Sequence, residues 1–291
     1  MSLIQEEIQQ YPAAVVNITN RCTLSCRHCF VFRNGNPNNP EDEMDKETMI
    51  GELLKLKKKH GIQYMLWMGG EPLLRQDVLT EGVKLFEGNT ITTNGTIDLI
   101  DLPNSIYVVS IDGPPEINDH IRGKGAFKRA VSTLKRLPEG FGAQVICQCV
   151  VTKENEDSIA FLVDYLRPLN IMGLTFSFYV PSKNDKTGLK WKDLKERDKV
   201  VRKVMEIKKK NPDFIRNRGR SLELMLSENA KAITDNCPSK KMVLPLYLEK
   251  NEFKIPFCCY GNDVDCDLCG AWVVFHLAAA IEQRGLEKKG E

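Results

Sequence analysis

At 291 residues the chain is long enough for one large α/β domain with a small annex. A composition of 42% hydrophobic and 27% charged residues excludes a disordered chain, and 41 basic against 39 acidic residues, a net charge of +2, give no reason to invoke a nucleic-acid partner. No signal-peptide core or apolar run of about 18 residues occurs, so a cytoplasmic location is expected. There ten Cys read as metal ligands before disulfides.

Residues 1–12 read as a short polar lead-in, and 13–19 as a strand. Directly after it comes Cys22-Thr23-Leu24-Ser25-Cys26-Arg27-His28-Cys29, a C-x3-C-x2-C loop. A structural zinc site normally takes four ligands and a [4Fe–4S] cube one thiolate per iron, so three loop thiols leave one iron open. The competing readings are a zinc knuckle and three unrelated core cysteines. Residues 30–44 are a loop rich in Asn, Pro and Gly. Asp45 should cap a helix to about residue 59, with Met49, Leu53 and Leu56 at helical spacing. A strand at 63–68 ends in Gly69-Gly70-Glu71-Pro72, and a helix follows at 76–86. The strand 90–93 ends in Asn94-Gly95, and the strand 106–111 in Asp112-Gly113-Pro114, followed by a loop carrying Arg122. A helix at 127–137, a strand at 143–152, a helix at 157–166 and a strand at 172–178 complete the alternation. Six strands separated by helices predict a parallel sheet with helical crossovers, with ligands at the strands' C-terminal ends.

Taken with the Cys loop, these strand ends resemble the radical S-adenosylmethionine (SAM) superfamily. The resemblance covers about residues 13–180 and implies a partial (βα)6 TIM-like barrel, here as one unit at 13–181. It implies that Cys22, Cys26 and Cys29 hold a [4Fe–4S] cluster whose open iron binds SAM. Gly69, Gly70, Glu71 and Pro72 are similar to the family's GGEP motif, which holds the SAM amino group. The two glycines let backbone approach a ligand, while the Glu side chain and exposed carbonyls can accept from an ammonium. Asn94 falls in a TNG-like end, and Ser110 and Asp112 in an SxDG-like end, near the ribose and methionine parts of SAM. Arg122 is a candidate for the SAM carboxylate, with Asn155 a weaker one. One departure is His28, where the family usually has an aromatic residue packing near adenine, followed here by Phe30. Both are candidate cofactor contacts, and His28 has a hydrogen bond that orients the loop as its competing role.

The segment 182–291 is expected as a helical region with a Cys-rich, helical or irregular annex. Helices are predicted at 193–210 and 222–233. Cys237, Cys258, Cys259, Cys266 and Cys269 then crowd into 33 residues. They suit a zinc ion or a second Fe–S cluster. The resemblance favours an auxiliary [4Fe–4S] cluster, as in SPASM or twitch annexes. Neighbours on extended chain point apart, so one of Cys258 and Cys259 is expected to ligate. Cys147 and Cys149 share one strand face, either as core residues or facing the barrel. The apolar stretch 272–281 is too short to span a bilayer and reads as a core helix, or as a peripheral membrane or substrate contact.

The resemblance implies an enzyme that cleaves SAM reductively to a 5′-deoxyadenosyl radical, with an electron donor such as flavodoxin or ferredoxin. With the Cys loop starting at residue 22, no upstream cobalamin or peptide-recognition domain is expected. The layout Cys237-Pro238, then Pro256-Phe257-Cys258-Cys259-Tyr260-Gly261, then Cys266-x2-Cys269 is loosely similar to adenosylhopene synthases. That makes a small-molecule substrate, a lipid or isoprenoid first, the leading expectation, with a peptide-modifying maturase next. An Fe–S electron carrier without radical chemistry is the reading from another class.

Overall fold

Short, mostly apolar runs alternate with helical segments through the first 180 residues, and that alternation builds a parallel sheet. The computed structural model describes residues 8–33 and 43–287. Most of the loop expected at 30–44 and the start of the lead-in lie outside these residues. Strands β1 (Ala13–Asn17), β2 (Tyr64–Met68), β3 (Gly88–Thr93), β4 (Ser105–Ser110), β5 (Gln144–Val151) and β6 (Leu174–Phe178) pair in chain order, all parallel. The crossovers carry α1 (Lys46–His60), α2 (Gln76–Gly82), α3 (Pro115–Arg122), α4 (Ala126–Lys135) and α5 (Ile159–Leu166). This is the expected six-stranded partial barrel. Asp45 caps α1 by accepting from the Thr48 amide, and Gly61 ends it in the left-handed conformation.

In β5 the two-residue alternation is plain. Val145, Cys147, Cys149 and Val151 are buried in the core, while Gln148 and Val150 face the cavity described below. Cys147 and Cys149 are therefore core thiols, and the barrel-facing reading is set aside.

Several boundaries differ from expectation for local reasons. The helix expected at 76–86 stops at Gly82, against which the Trp67 ring packs, and gives way to a tighter turn at Val83–Leu85. The loop expected to carry Arg122 is the helix α3. Pro115 occupies its first turn, where proline starts helices rather than breaking them. The helix expected at 222–233 is two, α7 (Gly219–Leu224) and α8 (Ser227–Asp235), split by the extended backbone of Leu226.

The C-terminal region also departs from a helical or irregular annex. After α6 (Leu194–Lys210) and α9 (Pro238–Met242), strand β7 (Val243–Glu249) adds to the sheet parallel to β1 and forms a hairpin with β8 (Glu252–Lys254). At the other edge, Asn217 pairs with β6 like a short strand. Its side chain accepts from the Phe176 amide and donates to the Phe176 carbonyl, both at 2.8 Å. The final helix α10 (Trp272–Glu287) buries Val274, Phe275, Ala278 and Ala279 and packs on α7, α8 and α9. One face of 272–281 is therefore core, as expected. Among the described residues, no helix is long and apolar enough to cross a membrane.

Candidate active site

The loop after β1 faces a cavity of about 1070 Å³, measured with its open solvent side, at the C-terminal ends of the strands. Cys22, Cys26 and Cys29 line it together, with Gly69, Gly70, Asn94 and Ser110 from the later strand ends and Arg122 from the end of α3. His28 and Phe30 line it too. The sequence places these residues up to 100 positions apart, and the parallel sheet gathers them at one mouth.

Burial pushes the Cys22 thiol up to about 11 and the Cys26 thiol up to about 12, and it raises Cys29 as well. Such thiols become thiolates when a cationic centre sits among them. Donors are already aimed at their sulfurs: Asn94 Nδ2 lies 3.6 Å from Cys22 Sγ, and the Phe32 amide 3.4 Å from Cys29 Sγ. Three thiols on one cavity, with N–H groups behind them, fit a cluster held by three ligands. Among the described residues, no group of three or more His, Cys, Asp or Glu is gathered as a single metal ion requires.

Asp112 does not face the cavity. It is fully buried, with its Oδ2 2.6 Å from Arg122 Nε and 3.0 Å from His28 Nε2. The Arg122 contact is ionic, lacking the alignment of a hydrogen bond. Its other oxygen accepts from the Val150 amide at 2.8 Å. Burial works to raise this carboxyl, but the charges of Arg122 and His28 overcome it and hold it well below the usual carboxylate range. His28 Nε2 thus sits at Asp112 while the residue also lines the cavity. Arg122 lines the cavity with its charge already partnered. Asn155 is likewise structural: it accepts from the Thr152 amide at 2.6 Å and donates to the Asp112 carbonyl at 2.8 Å.

Glu71 also departs from its expected place. Its carboxylate is wholly buried and accepts from the Leu73 amide (3.1 Å), the Thr93 hydroxyl (2.8 Å) and the Asn94 amide (2.9 Å). All three donors belong to the protein, so the side chain ties the end of β2 to the end of β3 and offers nothing to a ligand's ammonium. Pro72 is buried beside it. The glycines have a second reason as well. A Cβ on Gly70 would stand 2.0 Å from the Arg21 carbonyl oxygen, and one on Gly69 2.6 Å from that of Thr19. The Gly70 amide donates to Thr19 O and the Glu71 amide to Arg21 O. The close approach these glycines permit is first to the Cys loop's own backbone.

The five C-terminal Cys surround a separate, smaller cavity of about 360 Å³. Cys258 and Cys259 both reach it because 258–261 is a turn, closed by the Gly261 amide on Cys258 O, and not extended chain. Burial raises both thiols, Cys259 to about 11, and the Cys258 thiol also feels the charges of Cys266 and Cys237. Cys259 Sγ instead lies 3.4 Å from Ser239 Oγ.

Residues the motifs did not flag complete the main cavity. Gln148 and Ser177 are polar positions inside otherwise apolar strands, a signal readable in the strand alternation. Tyr260 lines both cavities and packs against Phe30 at 4.5 Å between ring centroids. Arg33 joins the loop to the annex through Val180 O, Tyr260 O and Asp263.

Residues 16–166 match the model of the Radical SAM superfamily. The chain is 31% identical over 186 residues to Fe-coproporphyrin III synthase of Methanosarcina barkeri, covering 60% of this chain and 45% of that protein. It is 29% identical over 153 residues to the mycofactocin maturase MftC of Mycolicibacterium smegmatis, covering 49% and 38%. The chain thus spans less than half the length of these two relatives. Its fold is similar to that of Streptococcus suis SuiB bound to S-adenosylmethionine, with a TM-score of 0.62 at 19% identity, over 82% of this chain and 59% of that one.

Two predictions follow from the strap between the Gly-Gly turn and the loop. Replacing Gly70 with Ala should displace the loop backbone and cost the loop its iron while annex iron stays. Iron at the wild-type level with only SAM affinity lost would show that the ligand alone needs the glycine. The second concerns Glu71, whose carboxyl burial pushes up to about 7, against its three donors. A carboxyl raised above its unfolded value contributes stability at low pH that is lost as pH rises through the folded value. From pH 6 to pH 8 the metal-free chain should lose about 1 kcal/mol through this group. Urea unfolding of the wild type and Glu71→Gln at both pH values checks it, since the Gln variant should lack that part of the loss.

Proposed function

This chain belongs to the radical SAM superfamily, whose members use a [4Fe–4S] cluster and S-adenosylmethionine, and on that premise we propose that it cleaves SAM reductively to act on a small organic molecule. The observation that carries the reading is the convergence of Cys22, Cys26 and Cys29 with Gly69, Gly70, Asn94 and Ser110 on one cavity. When bound, the cluster supplies the electron that frees a 5′-deoxyadenosyl radical from SAM. The protein's part is placement. Cys22, Cys26 and Cys29 would hold the cluster, and Asn94 donates toward Cys22 while its own backbone is fixed by Glu71. Carbonyls of the Gly69-Gly70 turn and the Ser110 hydroxyl are polar groups that SAM could use. Arg122 keeps a positive charge at the wall for a carboxylate, with Asp112 fixing its position. Phe30, Phe178, Tyr179 and Tyr260 keep water from the reacting end.

The substrate class rests on the cavity wall and on the relatives. Beyond the thiols, His28 and Arg122, the lining is aromatic, aliphatic or neutral and polar, including Thr92, Gln148 and Ser177. One relative is named for making Fe-coproporphyrin III and another for maturing mycofactocin. They favour an organic small molecule, with a peptide side chain as the second reading, and the isoprenoid expectation is not carried further. An external one-electron donor is part of this reading.

The annex we read as an auxiliary [4Fe–4S] site with Cys237, Cys258, Cys266 and Cys269 as ligands. Thiols spread around a cavity suit a cube better than one ion, and Cys259 Sγ is set against Ser239 Oγ at 3.4 Å.

Anaerobic incubation of reconstituted protein with SAM and dithionite should yield 5′-deoxyadenosine, and the triple variant Cys22→Ala, Cys26→Ala, Cys29→Ala should yield none. Cleavage at the wild-type rate by the triple variant would reject the loop assignment. The reconstituted chain should carry about eight irons, four per cube. Cys258→Ser should lower that toward four and Cys259→Ser should leave it unchanged. One annex-bound zinc by mass spectrometry, with about four irons, would overturn the auxiliary cluster and leave the loop reading standing.

A further inference from the structure

The first turn of α6 carries a buried arginine that neither the loop nor the main cavity explains. Arg197 is 1% exposed. Its Nη1 donates to the Cys269 carbonyl at 2.8 Å and to that of Leu268 at 3.4 Å, and its Nη2 donates to the Met225 carbonyl at 2.7 Å. Its Nε is buried with no partner. Among the described residues, no carboxylate lies within ion-pair distance of it. Asp198, its neighbour in sequence, is turned away to the amide and hydroxyl of Ser227, at 2.8 and 2.6 Å.

An unpaired buried charge is among the costliest groups a fold can hold, and carbonyl dipoles offset only part of that cost. Two of the three carbonyls that receive Arg197 belong to the turn presenting Cys266 and Cys269 to the annex cavity. That cavity is where an anion would form, because thiols become thiolates on ligation and four of them outweigh the small positive charge of an iron–sulfide core. We propose that Arg197 is the counter-charge of the annex centre, holding its thiolate-ligated form in place and its reduction potential up. The inference rests on the auxiliary-cluster reading above. Its physics is direct: reduction adds one negative charge to the centre, and a fixed cation beside it favours the reduced form. A merely structural clamp on the Cys266–Leu268 turn would need the hydrogen-bonding fork but not the charge.

The test uses the full chain, reconstituted anaerobically, with iron content and redox titration followed by electron paramagnetic resonance. Arg197→Gln keeps donors and removes the charge, so the annex midpoint potential should move to more negative values while the loop centre stays put. Arg197→Lys keeps the charge and loses the fork, and should leave the annex potential near the wild-type value. An annex potential unmoved in the Gln variant overturns the inference. So does a Lys variant that shifts as far as Gln or loses the annex iron, which decides the matter even if the Gln variant fails to fold. A wild-type chain with a single iron–sulfur centre would overturn the annex reading itself and take this inference with it.

Discussion

Asp112 sits where four parts of the molecule meet, and its charge holds them in register. The carboxylate touches His28 of the Cys loop and Arg122 at the end of α3, and it accepts from the backbone of β5. Its own carbonyl accepts from Asn155 and its amide donates to Asn118. Burying a carboxylate is costly unless it is paired and hydrogen-bonded, and removing one partner would leave the others as uncompensated charge. That asymmetry makes the arrangement all-or-none. The loop can sit in one place relative to β4 and β5, and that place points its thiols into the cavity.

The other side of the loop is fixed without any charge. The Gly69-Gly70-Glu71 backbone lies against residues 19–21 through two amide donations, and no side chain fits between the strands of that strap. Glu71 then fastens the strap to β3 through Thr93 and Asn94. A three-Cys loop with no metal would otherwise be free to wander, since short polar loops hold little apolar area. Here ion pairs on one flank and backbone contact on the other orient it in advance, which lowers the ordering cost when a ligand arrives.

The annex is joined to this core through the same mouth. β7 extends the sheet beyond β1, Gly270 accepts from the Phe178 amide at the end of β6, and Arg33 reaches across to Val180, Tyr260 and Asp263. Tyr260 forms a wall shared by the two cavities. The two Cys groups are therefore parts of one packed unit rather than separate modules on a linker.

Much of this was legible in the chain itself. The six strands followed from short apolar runs and the helical segments between them, and the loop, the Gly-Gly turn and the Asn94 and Asp112 ends were visible as strand-terminal motifs. The cap at Asp45 was a local signal and appears where local chemistry puts it. What sequence could not decide was where side chains point once strands are packed. Glu71 and Asp112 read as ligand contacts because they are charged and sit in motifs, yet tertiary packing surrounds both with protein donors before any ligand arrives. β7 was missed because its partner lies some 230 residues earlier in the chain, and parallel pairing leaves no mark on neighbouring residues. Arg197 read as one more charge on a helix, and only the approach of the Cys269 turn from 72 residues away shows it buried, unpaired and aimed at the annex. Local pattern fixes which elements form, whereas burial and charge partners belong to contacts between elements.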